Sequence, residues 1–183
     1  SPNMLGEQFA PLRENILLRI DHHGTATSFT PYELVDADAA ACGEILYAVI
    51  RELTPITADI ALPLYVAVST DTGCFVYSNT TPNTHRIAAE LMAHDFGVAE
   101  INKALFRTKS KVRLRMEAHM AAHMELYDND RVVVMTIPLR LREEMHATEA
   151  DIEELSSLAA LVEGTDCAIT LRELRPGTIK ISL

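Results

Sequence analysis

The sequence predicts an α/β protein. Three observations carry that expectation. Apolar and β-branched runs at residues 16–21 and 131–137 read as strands, and the stretches between them repeat apolar residues at helical spacing. Near the end, two strand-like runs flank Pro176 and Gly177 as a hairpin would.

Residues 16–21 read as a buried strand leading into a loop broken by Gly24 and Pro31. Asp36 or Asp38 can cap a helix whose apolar face is Ile45, Leu46, Val49, Ile50 and Leu53, and Pro55 ends it. Thr57 can cap the next segment, through Val68, where Pro63 leaves helix and strand both open. A polar, glycine-containing turn is expected from Ser69 to Thr81. Thr81 ahead of Pro82 marks a helix start, with Ile87, Ala88, Leu91 and Met92 facing inward. Gly97 is expected to end that helix, and another runs through Ile101 and Leu105.

The charge-rich stretch 107–115 is the expected boundary between two units. After it, Val112, Met116, Met120, Met124 and Tyr127 form one stripe of a long helix, and residues 131–137 a strand. Thr148 with Asp151 resembles a capping box ahead of Ile152, Leu155, Ala159 and Val162, with Gly164 closing that helix. Residues 166–174 and 178–183 make the hairpin.

With 183 residues, 48% of them hydrophobic, the chain can bury a substantial core in one large or two small domains. No apolar run reaches the roughly 18 residues of a membrane span, and Ser1 to Gly6 lack the order of a signal peptide. The net charge of −10 argues against a broad basic surface for nucleic acid, but allows an anionic substrate held through metal ions. Cys42, Cys74 and Cys167 form no CxxC pair, which favours a reducing cytoplasm and no structural zinc. The start at Ser1 and the stop on Leu183 within a strand-like run read as a piece of a longer chain.

Chemistry concentrates in "LLRIDHHGTATSF", residues 17–29, where a strand ends on Asp21, His22 and His23. Imidazole and carboxylate at a strand end suit a divalent transition metal such as Mn²⁺ or Fe²⁺ better than structural zinc. The second acidic turn, Ser69-Thr70-Asp71-Thr72-Gly73, can bring Asp71 to the same place with hydroxyls supporting the carboxylate. By spacing alone, a capped loop with a hydrogen-bonded histidine competes evenly with a metal site. His119 and His123 share a helical face but sit among Met116, Met120 and Met124 without an acidic partner, so packing is expected. His85 reads as structural, His94 with Asp95 as a solvated helix end, and His146 carries no pattern. Lys109, Lys111, Arg113 and Arg115 read as a solvated linker and helix face, with contact to a short polyanion as the rival.

Taken together, "IDHHGTAT", "TDTGCFVYSNTT" and the "THRIAAELM" helix resemble the DHH phosphoesterases, specifically the DHH/DHHA1 subgroup of nanoRNases that also dephosphorylate 3′-phosphoadenosine 5′-phosphate (pAp). The resemblance implies a partial DHH domain over residues 1–106, a linker and start of a connecting helix over 107–118, and a partial DHHA1 substrate-binding domain over 119–183. It implies a cytoplasmic hydrolase of short RNA or pAp, with two Mn²⁺ ions in the full-length protein, no membrane association, and a homodimer among the open oligomeric states. His22 and Asp71 would be metal ligands, and His23 would meet the scissile phosphate. Thr72, Ser78, Asn79 and Thr80 would shape the substrate-side loop, with Asp21 and Thr70 in support. The family's HxxxDxD motif is missing, since residues 1–20 hold no aspartate or histidine, and so is its C-terminal glycine-rich motif with a histidine. The residues present therefore amount to about half of an active site, and this chain is expected to hold metal weakly and to be inactive alone. Rival readings are a non-catalytic nucleotide-binding module, a single-strand DNA exonuclease and an inorganic pyrophosphatase.

Overall fold

The computed structural model describes residues 6–25, 27–153 and 155–183. It is mixed α/β and divides into a first unit ending at Thr108 and a second running Lys109–Leu183. Among the described residues no helix is long and apolar enough to cross a membrane.

In the first unit a 3-10 segment, Glu7–Asn15, precedes β1 (Leu18–Asp21), which pairs in parallel with β2 (Tyr32–Val35). The helices α1 (Cys42–Leu53), α2 (Ala58–Asp71), α3 (Pro82–Met92) and α4 (Val98–Asn102) follow, with a π turn over Lys103–Arg107. Tyr47, Ala61, Leu64, Tyr65, Ile87, Ala88 and Leu91 form the core. Each large aliphatic or aromatic side chain buried there contributes about 1.5–3 kcal/mol relative to exposure. Gly43 lets α1 approach α2, because a Cβ there would stand 3.0 Å from Ala67 Cβ and 3.1 Å from Val68 Cγ2.

Several expectations change here. β1 is not a buried strand: Leu17 and Leu18 are exposed and Arg19 alone is buried, because the one strand paired with it among the described residues is β2, itself exposed throughout. β2 lies where a loop was expected. Arg19 ties the two strands to the returning loop, donating to the Thr27 carbonyl at 3.0 Å and pairing with Glu33 at 3.4 Å. Neither Asp36 nor Asp38 caps α1. Its N-cap is Ala41, while Asp36 Oδ1 accepts the Asp38 N–H at 3.0 Å in the preceding turn. The segment with Pro63 is a helix, and it continues through Asp71 into the stretch expected to be a turn. There the Thr70 hydroxyl donates to Val66 at 2.8 Å and the Thr72 hydroxyl to Val68 at 2.7 Å, so these polar side chains are satisfied within the helix end. α3 starts as expected, with Thr81 and Thr84 capping reciprocally. It stops at Met92, and Gly97 is instead the left-handed N-cap of α4.

The second unit begins with α5 (Lys111–Ala122) and holds a four-stranded sheet in the order β3-β4-β5-β6. β3 (Glu125–Tyr127) and β4 (Val132–Ile137) are antiparallel, β4 and β5 (Cys167–Arg175) parallel, and β5 and β6 (Thr178–Ser182) antiparallel. The β4–β5 crossover carries α6 (Leu139–Glu144), α7 (Glu149–Ile152) and a 3-10 segment, Leu155–Leu161. Met116 and Met120 on α5 pack with Val133, Met135 and Ile137, the alternate residues of β4. Thr148 and Asp151 form the expected cap, with bonds of 2.9 and 2.7 Å. The long methionine helix is shorter than expected. Asp128, Asn129 and Asp130 all take positive φ and turn the chain sharply, so Glu125–Tyr127 pairs with β4 instead of extending α5. The helix expected through Val162 is likewise only the short α7 and a 3-10 segment, and α6 was not foreseen.

Candidate metal-binding and phosphoesterase site

His22 follows directly on the carboxyl end of β1, the place where parallel α/β sheets present ligands. Its Nδ1 lies 3.3 Å from the Ala39 carbonyl oxygen, in the turn before α1. A carbonyl only accepts, so Nδ1 carries the hydrogen and Nε2 is left to face the other way. Nε2 points at Asp71 Oδ2, 3.4 Å away at the last residue of α2. A ring-nitrogen lone pair facing a carboxylate oxygen requires something positive between them, either a proton on Nε2 or a metal ion. The His22 side chain is 17% exposed and that of Asp71 46%, so the pair is anchored yet open to solvent.

His23 packs edge-on against His22, with ring centroids 4.3 Å apart. Its Nδ1 is 2.8 Å from Asp21 Oδ1, and the same oxygen accepts the His23 backbone N–H at 3.1 Å. These bonds, the ring's first, hold the Asp21 carboxyl down to about 2, from an ordinary value of 3.8. Asp21 thus positions His23 and leaves its Nε2 to the exterior. Cys42, at the start of α1, donates to the Ile20 carbonyl at 3.5 Å, and burial, then the charges of Asp21 and Asp71, push its thiol up, so it stays neutral.

The chain after Asp71 is strained. Gly73, Cys74 and Phe75 all take left-handed φ, at 55°, 58° and 67°. Glycine adopts this freely, whereas each non-glycine residue held there costs on the order of 1–3 kcal/mol, and such strain gathers at functional sites. The turn is held by the Cys74 N–H on the Ser69 carbonyl at 2.7 Å and the Phe75 N–H on the Thr72 hydroxyl at 3.2 Å.

The remaining expected site residues fall into two groups. Ser78 and Asn79 are exposed, and Thr80 is half-buried with its hydroxyl buried. Thr72 is fully buried with its hydroxyl on the Val68 carbonyl, so it serves the helix end and not a substrate surface. Thr70 likewise spends its hydroxyl on α2 carbonyls and does not reach the Asp71 carboxylate. Asn79 donates both amide hydrogens, to the carbonyls of Ala40 at 2.9 Å and Asp71 at 3.1 Å. Sequence reasoning missed the Ala39 carbonyl that anchors His22, since a backbone acceptor has no sequence signature. Among the described residues no group of three or more His, Cys, Asp and Glu gathers as a metal cluster.

No protein-family model matches the chain. It is 32% identical over 172 residues to the bifunctional oligoribonuclease and PAP phosphatase NrnA of Thermus thermophilus, covering 93% of this chain and 51% of that protein. The DHH and TDTG motifs that this relationship accompanies are the ones the structure brings together. The chain belongs to the DHH phosphoesterases. Another relative of this DHH chain, the probable bifunctional oligoribonuclease and PAP phosphatase NrnA of Streptococcus mutans, is 24% identical over 94% of this chain and 55% of its own length. The chain thus spans about half the length of the curated relatives it matches. An exopolyphosphatase-related protein from Bacteroides fragilis has the same fold, with a TM-score of 0.85 over 96% of this DHH chain and 53% of its own, at 19% identity.

Proposed function

We propose that this chain carries part of the active site of a Mn²⁺-dependent phosphoesterase that hydrolyses short oligoribonucleotides, pAp, or both. The observation that carries the reading is the convergence of His22 Nε2 and Asp71 Oδ2 at 3.4 Å, with the ring's other nitrogen anchored on Ala39. A nitrogen and a carboxylate oxygen fit a manganese-like ion, and Asp71 has a second oxygen with which to bridge a pair. When bound, such a pair supplies an activated water and offsets charge on the phosphoryl oxygens. His22 and Asp71 hold the ligand positions, and Asp21 orients His23 so that its Nε2, when the ring is doubly protonated, can donate to the scissile phosphate. Ser78 lines the substrate side, whereas the Thr80 hydroxyl is buried away from it. A cytoplasmic location goes with this reading, since Cys42, Cys74 and Cys167 are free thiols. A homodimer remains part of it as an assembly to measure.

Two side-chain ligands are fewer than the about four, protein or water, that a transition ion needs in fixed geometry. We therefore infer that the 183 residues alone hold no ion tightly and hydrolyse neither substrate, even in excess Mn²⁺. A protein in which an HxxxDxD segment precedes this sequence should hydrolyse at least one, and His22→Ala should abolish that activity. Turnover by the 183-residue chain, abolished by His22→Ala, would show a complete site here and overturn the two-ligand reading. The lack of a three-residue metal cluster among the described residues favours one rival, a non-catalytic nucleotide-binding module. Nucleotide binding without hydrolysis by the longer, Mn²⁺-loaded protein would select it.

A further inference from the structure

We propose that Asn79 is a positioning residue that sets the separation of His22 and Asp71, and not a substrate contact. The inference rests on the reading of those two residues as metal ligands. His22 and Asp71 belong to different elements, the end of β1 and the end of α2, and no covalent feature near either fixes their distance. His22 hangs on the turn before α1 through Ala39, whose carbonyl accepts from Nδ1. The next carbonyl of that turn, Ala40, accepts one amide hydrogen of Asn79, and the carbonyl of Asp71 itself accepts the other. One planar amide thus clamps the turn that carries His22 to the helix end that carries Asp71.

Both partners of the Asn79 nitrogen are carbonyls, which accept and cannot donate, so the orientation of its amide is unambiguous. With both hydrogens engaged, Asn79 has only an acceptor oxygen left, and a phosphate, itself an acceptor, has nothing to gain from it. The clamp has a firm base at each end. Ala40 is 1% exposed, and Asp71 closes a helix whose last turn is pinned by the Thr70 and Thr72 hydroxyls. On the Asn79 side, the Thr81–Thr84 cap starts α3 two residues later, independently of the amide. Residues that orient metal ligands from behind typically cost roughly tenfold to a hundredfold in metal affinity when removed.

The test uses the 183-residue chain, wild type, Asn79→Ala and Asn79→Asp. The aspartate keeps the shape but turns oxygens without hydrogens toward the two carbonyls, so it separates hydrogen donation from volume. Weak Mn²⁺ binding is read from paramagnetic broadening of the His22 and Asp71 resonances during titration. Independently, the His22 ring is read in metal-free samples from its nitrogen shifts. The wild type should broaden both residues together, with roughly tenfold or more weakening in both variants. The metal-free His22 ring should pass from one fixed orientation, with Nδ1–H on the Ala39 carbonyl, to an exchanging mixture. Equal Mn²⁺ affinity with an unchanged His22 ring would overturn the proposal. If the wild type shows no Mn²⁺ effect at all, the metal-ligand reading fails and the ring decides the clamp: a mobile ring supports it and an unchanged ring overturns it. Loss of folding in both variants would also overturn it, by making Asn79 a general fold residue.

Discussion

His23 Nδ1 stands 2.8 Å from Asp21 Oδ1, and that oxygen also takes the His23 backbone N–H, closing a small ring of bonds beside the candidate metal ligands. It is the shorter of the two histidine–carboxylate contacts at the site, and it fixes the exposed histidine. The Asp21 carboxyl ionises near 2 in the folded chain against an ordinary value of 3.8. A depressed carboxyl contributes in full above its ordinary value and loses that contribution as pH falls to the folded value. The His23 ring should therefore keep its Nδ1 partner well below pH 4 and lose it in a transition centred near pH 2. Nitrogen shifts of His23 across an acid titration check this. A transition centred near pH 4 would show that the bond does not hold Asp21 down.

Gly43→Ala should destabilise the first unit. The added methyl meets Ala67 and Val68 side chains at 3.0 and 3.1 Å and the Leu64 carbonyl at 3.3 Å, and helix backbone cannot give way cheaply. Overpacking of this kind costs about 1–3 kcal/mol, partly offset by the up to about 1 kcal/mol that alanine gains over glycine in a helix. A denaturant midpoint below wild type, partly restored by adding Ala67→Gly, is the expected result.

Met120→Ala should cost more. Met120 is 1% exposed and packs in the apolar cluster between α5 and β4. Large-to-small changes at such positions cost about 2–5 kcal/mol. Thermal unfolding with amide exchange at β4 and β5 should place the loss in the second unit.

His119 and His123 stack with centroids 4.1 Å apart at the end of α5, and the His123 ring nitrogen meets the His119 carbonyl at 2.8 Å. No acidic group completes a ligand set around them among the described residues. Replacing both with Gln should change stability by no more than about 1 kcal/mol and leave Mn²⁺ broadening at His22 intact. A loss of that broadening with folding unchanged would connect them to the site.

Much of this was written in side-chain pattern. The β-branched run 131–137 marked β4, the Met116 and Met120 stripe marked the buried face of α5, and Thr81-Pro82 marked the start of α3. The DHH and TDTG motifs named the two residues that now face each other. Tertiary structure alone decided the rest, for physical reasons. β2 has no buried face, so it leaves no alternation to read. Tyr127 continues a helical stripe but pairs with Val132, because three left-handed residues at 128–130 reverse the chain and backbone pairing outweighs periodicity. Thr72 looked like a polar loop residue until its hydroxyl turned inward to Val68. The anchors of the site are the carbonyls of Ala39, Ala40 and Asp71. Every residue has such an oxygen, and only the folded path of the chain determines which of them a histidine or an asparagine meets.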